Sequence, residues 1–293
     1  MNTEALRSAL ARLLVAVQYL LPQHALTRLA HALARSRLPW LKNALISGFV
    51  ARYRPDLSEA EQPKPLAFES FNAFFTRALR ADARPIDPDP HAVVSPVDGS
   101  VSQLGRLDGR WLLQAKGRTY TLEALLSGPA EWAEVFRAGA AATLYLAPSD
   151  YHRVHMPLSG TLCAAWYVPG RLFSVGAANV AGVADLYARN QRVVCVFATG
   201  ALSFALVLIG ALFVGSISTV WHGELTPRRG RQRVPLPLTA RAASLTLERG
   251  AEFGRFNMGS TVILLLPPGR SAWGLTVEVG GVVRVGETLG RVK

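Results

Sequence analysis

The chain has 293 residues, half of them hydrophobic, enough for one large or two modest cored domains, and this excludes disorder over most of its length. Lys and Arg number 32 against 20 Asp and Glu, and the net charge of +12 calls for an anionic partner. With no zinc-finger spacing and no aromatic stacking platform among the basic residues, an acidic membrane fits better and no nucleic acid is expected.

Leu6, Leu10, Leu13, Leu14, Val17 and Leu21 recur at helical spacing, predicting an amphipathic helix that ends at Pro22. Glu4, Arg7 and Arg12 interrupt this stretch and no small-residue cleavage site follows, so an export signal is not expected. Further helices are predicted over His24 to Arg37 and over Trp40 to Arg54. From Met1 to Ala60 there are eight Lys and Arg against three Asp and Glu. Such basic helices can lie on an anionic membrane, or pack their apolar stripes on the rest of the protein or on a second subunit.

Pro55 to Pro65 reads as a linker. After it, Ser70 is placed to cap a short helix carrying Phe71, Phe74, Phe75 and Leu79. The proline-rich run Arg84 to Pro90 leads to a strand from His91 that ends in the Asp98-Gly99 turn. Short strands follow at Val101–Leu104, Trp111–Ala115, Thr119–Leu122 and Ala141–Leu146, with a brief helix over Glu123–Leu126. The segment Asp150 to Pro157 is placed on a loop at a strand end. Beyond Leu158 the pattern is strands, apart from a helix near Asn179 to Tyr187.

Val193 to Trp221 has no formally charged residue and is long enough to cross a bilayer. Glycine and small polar residues break it into pieces that read as buried strands. Trp166 to Phe173 reads equally as a lipid entrance or as a buried strand and turn. The basic turn Pro227 to Arg233 reads as a solvated loop that could also meet phosphate. Strands are expected at Val262–Leu266, Leu275–Val279 and Val282–Glu287. This tail resembles lipoyl-type barrels but lacks a lysine in the turn. Cys163 and Cys195 make no disulfide framework and suit a reducing cytoplasmic setting.

Three stretches carry the chemistry. In Gly254 to Leu266, GRFNMGSTVILLL, Ser260 starts a strand behind Gly259, whose bare carbonyl is open to attack by the neighbouring hydroxyl. Ser95 to Gly99, SPVDG, supplies the carboxylate of Asp98, and Asp150 to Pro157, DYHRVHMP, supplies His152 and His155. Together these are the parts that activate a serine. His152-x-x-His155 lacks a convincing set of further ligands, so no metal is expected. His24, His31, His91 and His222 read as structural or surface residues.

In this order and at these separations, the three motifs resemble the phosphatidylserine decarboxylase proenzymes. Further matches lie at Phe74–Arg77, Tyr167–Val175, Ala188–Asn190 and Val214–Ile217, so the resemblance runs from about Phe71 to the end. It implies an α+β fold, a mostly β catalytic core of short strands with an N-terminal helical segment. Residues 1–62 would be an amphipathic membrane-associating segment and residues 63–293 the pyruvoyl-dependent decarboxylase domain.

The resemblance also implies self-cleavage. Ser260 Oγ attacks the Gly259 carbonyl, the amide becomes an ester, and β-elimination leaves dehydroalanine at position 260. Tautomerisation and loss of ammonia then give a covalent pyruvoyl group, with neither metal nor pyridoxal phosphate. His155 is the implied base, oriented by Asp98. His152 is assigned to decarboxylation, donating a proton after the pyruvoyl group, linked to the lipid amine as a Schiff base, has taken up the electrons freed by carbon dioxide.

The products would be a long chain, 1–259, and a short chain, 260–293, held as a heterodimer and paired again as a homodimer. The expected setting is the cytoplasmic face of the cell membrane, as a peripheral protein of phosphatidylethanolamine and phospholipid biosynthesis. Met258 stands where many members have leucine, and Gly176 where a polar residue is expected, which directs attention to Asn179. Two rival readings are a serine hydrolase using Asp98, His155 and Ser260, and a non-catalytic basic membrane-binding protein.

Overall fold

This computed structural model describes residues 13, 15–200, 202–214, 216–228, 230, 232–238, 245–274 and 277–292. Its core is an antiparallel sheet of nine strands, and the reason for its centre is visible in sequence. Thr261–Leu266 is a β-branched and leucine run with every residue buried, so both faces need cover. It pairs on one side with Leu202–Ile209 and on the other with Ala140–Tyr145. Arg192–Thr199 and Gly160–Val168 extend the sheet one way, and Gly99–Arg106 and Val282–Val283 extend it the other.

The long uncharged segment is thus strand, not span. Arg192–Thr199 and Leu202–Ile209 are buried neighbours joined by a turn with Gly200 at φ +56°. Among the described residues no helix is long and apolar enough to cross a membrane. Trp166 and Tyr167, in the run that reads equally as an entrance, are buried in Gly160–Val168.

A second sheet of four short strands lies beside the junction. In it Arg153–His155 pairs with Glu252–Phe256, which pairs with Ile217–Thr219. The histidine motif therefore includes a strand where a loop is expected, because Arg153, Val154 and His155 gain backbone partners more than 90 residues away. The helix expected over Asn179 to Tyr187 is two shorter ones, Ala177–Gly182 and Leu186–Arg189, separated where Asp185 takes φ +52°. The helix Ala130–Phe136 has no counterpart in the sequence reading.

Ser70 caps Phe71–Phe75 by accepting from the Ala73 amide at 3.1 Å. This helix stops before Leu79, and its three phenylalanines pack with Ile46 and Ala34 in a small separate cluster. The C-terminal tail divides between sheets: Val282–Val283 joins the large one, while Thr288–Val292 pairs with Ala92–Val94 and Ser271–Trp273. Of the expected strand Leu275–Val279, residues 275 and 276 lie outside the described residues, as do Arg229 and Arg231 of the basic turn.

Of the first predicted helix, residues 15–20 are helical and Leu6, Leu10 and Leu14 lie outside the described residues. The next helices, Gln23–Ala34 and Pro39–Tyr53, match expectation closely, but the first turns the opposite way from an ordinary core helix. Gln23, Thr27 and Ala34 are its buried residues, the first two bonding the backbone amides of Leu172 and Phe213. Leu29 and Leu33 are exposed, as are Leu20, Leu38 and Trp40.

Candidate active site

Ser260 lies at the start of the central strand and is fully buried, with its carbonyl accepting from the Leu146 amide at 2.9 Å. Its Oγ has no hydrogen-bond partner. A buried hydroxyl without a partner is costly, so its retention at this position points to chemistry rather than to folding. The preceding turn is clamped from the side. Asn257 Nδ2 donates to Ser216 Oγ at 2.7 Å and to Ser218 Oγ at 2.9 Å, and its amide donates to the Ser216 carbonyl.

His152 faces that turn. A methyl group placed on Gly259 would sit 2.6 Å from His152 Nε2, so the absence of a side chain there is what admits the imidazole. Nδ1–H donates to the Asp150 carbonyl at 2.8 Å, which leaves Nε2 unprotonated. Nε2 is buried and has no partner, like Ser260 Oγ. Phe75 packs on the ring with centroids 4.1 Å apart. Burial, reinforced by the nearby Arg77 charge and only partly offset by the Asp150 bond, pulls the His152 pKa down to about 3.

His155 and Asp98 are held differently. His155 Nδ1–H donates to the Gly250 carbonyl at 2.7 Å, and Nε2 accepts from the Tyr151 hydroxyl at 3.0 Å. Burial lowers its pKa, while the Gly250 bond and the charges of Glu252 and Asp98 act in the opposite sense. Asp98 receives Arg84 in a forked pair, with Nε 3.0 Å from Oδ1 and Nη2 2.5 Å from Oδ2, and accepts the Val285 amide. The structure thus brings His152 to Gly259, next to Ser260 in the chain, and among the described residues no hydrogen bond links Asp98, His155 and Ser260 or joins Ser260 Oγ to His152.

A self-derived group at position 260 fits this setting. The two unbonded polar atoms, Ser260 Oγ and His152 Nε2, flank a glycine too crowded to carry a side chain. A family model described as phosphatidylserine decarboxylase matches residues 71–291, and a second, described as PSD, matches residues 13–54. The chain belongs to the phosphatidylserine decarboxylase family.

Three relatives named phosphatidylserine decarboxylase proenzyme align over nearly their whole length. Those of Methylococcus capsulatus and Stutzerimonas stutzeri are each 49% identical, covering 95% and 96% of this chain and 96% and 94% of their own. That of Bordetella avium is 50% identical over 95% of this chain and 94% of its own.

The family resemblance at Val214–Ile217 now has a physical content, since Ser216 receives Asn257. Asn179, the candidate substitute for a polar residue at Gly176, accepts Gln18 Nε2 at 2.8 Å and so ties the N-terminal helix down. The motifs alone give Asn257 and Arg77 no role. Their signal was their place inside matched motifs, but the contacts that define them are long-range.

Proposed function

We propose that this chain decarboxylates phosphatidylserine to phosphatidylethanolamine, using a pyruvoyl group made from Ser260 by self-cleavage after Gly259. The observation that carries the reading is the pair of buried, unbonded atoms, Ser260 Oγ and His152 Nε2, at a glycine junction on the central strand. Once formed, the pyruvoyl carbonyl supplies a sink for the electrons released as carbon dioxide leaves.

His152 serves the decarboxylation step. Neutral and held at Nδ1 by Asp150, it presents a lone pair at Nε2 that takes a proton from the lipid ammonium and returns it to the carbon that loses carbon dioxide. Phe75 and the surrounding burial exclude water from that exchange. Asp98 and His155 are assigned to maturation, by the family resemblance and by the electrostatic support that Asp98 gives His155.

A second reading of maturation is favoured by one observation. His152 Nε2 lies against Gly259 and is unbonded, which supports it as the base for the Ser260 proton, whereas both His155 ring nitrogens are bonded elsewhere. The masses of His152→Ala and His155→Ala decide between them. An uncleaved His155 variant beside a cleaved, inactive His152 variant supports the first assignment, and the reverse supports the second. A hydrolase using Asp98, His155 and Ser260 is disfavoured because both His155 ring nitrogens are bonded elsewhere and Ser260 Oγ has no hydrogen-bond partner among the described residues.

The exposed Leu20, Leu29, Leu33, Leu38 and Trp40, beside arginines, support docking of the N-terminal helical segment on an anionic membrane, and the cytoplasmic face is proposed from the family resemblance alone. After cleavage the short chain keeps both neighbours of its first strand, Leu202–Ile209 and Ala140–Tyr145, so the two chains remain a heterodimer. Pairing of two such units as a homodimer completes the proposal. Vesicle flotation tests the membrane reading: binding to anionic but not neutral vesicles supports it, and no binding to either removes it.

A further inference from the structure

We propose that Arg77 receives the phosphodiester of the lipid headgroup, in an arginine-lined cavity between the helical segment and the second sheet. The inference rests on the phosphatidylserine reading above and extends it to the group that binds the headgroup.

Arg77 follows the Phe71–Phe75 helix directly and is only 4% exposed. Its Nη2 donates to the Ser149 carbonyl at 3.2 Å, and its guanidinium lies over Phe74 at 5.8 Å. Nε and Nη1 are buried and have no hydrogen-bond partner. A buried cationic donor left open costs more than a neutral one, so two on one side chain mark a place where an acceptor arrives.

The cavity that Arg77 lines has a volume of about 840 Å3, within the range of ligand sites. Its other arginines are already paired: Arg37 with Glu69 at 2.9 Å, Arg153 and Arg255 with Glu252 at 2.7 Å each, and Arg35 with Glu224. Those carboxylates balance most of their charge, Glu61 also lines the cavity and the charges of Asp98 and Asp150 act on Arg77, which holds the open donors. Arg37 leads to the exposed Leu38 and Trp40, so the cavity adjoins the face proposed for the membrane.

It also adjoins the chemistry. The charge of Arg77 acts on His152, Phe75 packs on the same imidazole, and Asn72 donates to Asn257 at 3.4 Å, two residues before Gly259. A headgroup held at Arg77 therefore lies near residue 260.

The substrate carries two anions, and the reaction tells them apart. A cation bound to the carboxylate stabilises a charge that the reaction removes, which deepens the ground state and slows the step. The phosphodiester keeps its charge throughout, so binding it carries no such penalty. Nε–H and Nη1–H point to different sides of the Arg77 guanidinium, and each is an open charge-assisted donor that a phosphate oxygen can meet.

The test uses the full-length protein, Arg77→Met and Arg77→Lys, with maturation checked by mass. Decarboxylation of dihexanoyl phosphatidylserine is measured, together with calorimetric binding of dihexanoyl phosphatidylglycerol, which has the phosphodiester but neither amine nor carboxylate. Loss of a charge-assisted pair predicts a KM raised by about tenfold or more in Arg77→Met, with kcat within about threefold. Phosphatidylglycerol binding should weaken by the same factor, and Arg77→Lys should fall between.

Unchanged KM and unchanged phosphatidylglycerol binding overturn the proposal, and so does a fall in kcat alone. If the variants fail to fold or mature, wild-type protein decides: phosphatidylglycerol must bind about tenfold or more tightly than dihexanoylglycerol, and equal binding overturns the site. Arg77-dependent phosphatidylglycerol binding without any decarboxylation would instead remove the functional reading and leave the site standing.

Discussion

Arg192 and Asn190 form one buried polar region, and Gly259, Ser260, His152 and Arg77 form another. In the first, every donor is used. Arg192 is 1% exposed and its guanidinium donates to the carbonyls of Leu125, Ala188, Asn190 and Ala124 and to Ser127 Oγ. Asn190 accepts the Phe173 amide and donates to the Phe173 and Gly210 carbonyls. In the second, Ser260 Oγ, His152 Nε2 and two Arg77 nitrogens are left open at equal depth. Completed bonds hold a fold together; open ones at the same burial cost stability and are kept where a reaction or ligand uses them.

The comparison can be broken most severely at Ser260. Ser260→Ala removes the nucleophile and is expected to give one uncleaved chain without decarboxylase activity, while thermal unfolding shows a protein at least as stable as wild type, because no buried polar atom is lost from a bond. A cleaved variant would sink the account. Gly259→Ala is next. Its methyl group would meet His152 Nε2 at 2.6 Å, so maturation should fail and stability should fall by about 1–3 kcal/mol. Normal cleavage by this variant would show that the imidazole is not held there.

Arg192→Met tests the other region and should do the reverse. It leaves several buried carbonyls without donors, and urea unfolding is expected to show a loss of about 3 kcal/mol or more, with cleavage retained in whatever protein folds. Acid gives a graded effect. His152 has its pKa lowered from 6.5 to about 3, so the unfolded chain binds the proton more readily between those values. Stability is therefore full above about pH 6.5 and falls as pH drops toward 3, by up to about 1.4 kcal/mol per unit from this group. His152→Gln should flatten that slope, and an unchanged slope would show that His152 is not buried as described. Asn257→Ala should have the mildest effect, a loss of about 1–2 kcal/mol from its bonds to Ser216 and Ser218, with slower cleavage.

Much of this was legible because it is local. The apolar runs at Val193, Leu202 and Val262 announce buried strands, Ser70 announces a helix start, and the three motifs name the junction and its histidines. Pairing is not local. Nothing near His155 says that Arg153–His155 will join a strand at Glu252, and no periodicity says that Gln23 and Thr27 face inward while Leu29 faces out. Arg77 lies just after a helix and Arg192 at the start of a strand, and only the fold shows that Arg192 finds five acceptors while Arg77 is left with open donors. The two histidines likewise look equivalent in DYHRVHMP, and their different partners come from Gly259 and Gly250, about a hundred residues away.

The most direct test of self-cleavage at residue 260 is the intact mass of the purified protein under denaturing conditions. The account predicts two chains that meet at Gly259 and residue 260, the shorter one lighter than a serine-started peptide by one ammonia. A single chain at the full 31.6 kDa from protein that decarboxylates phosphatidylserine would contradict it.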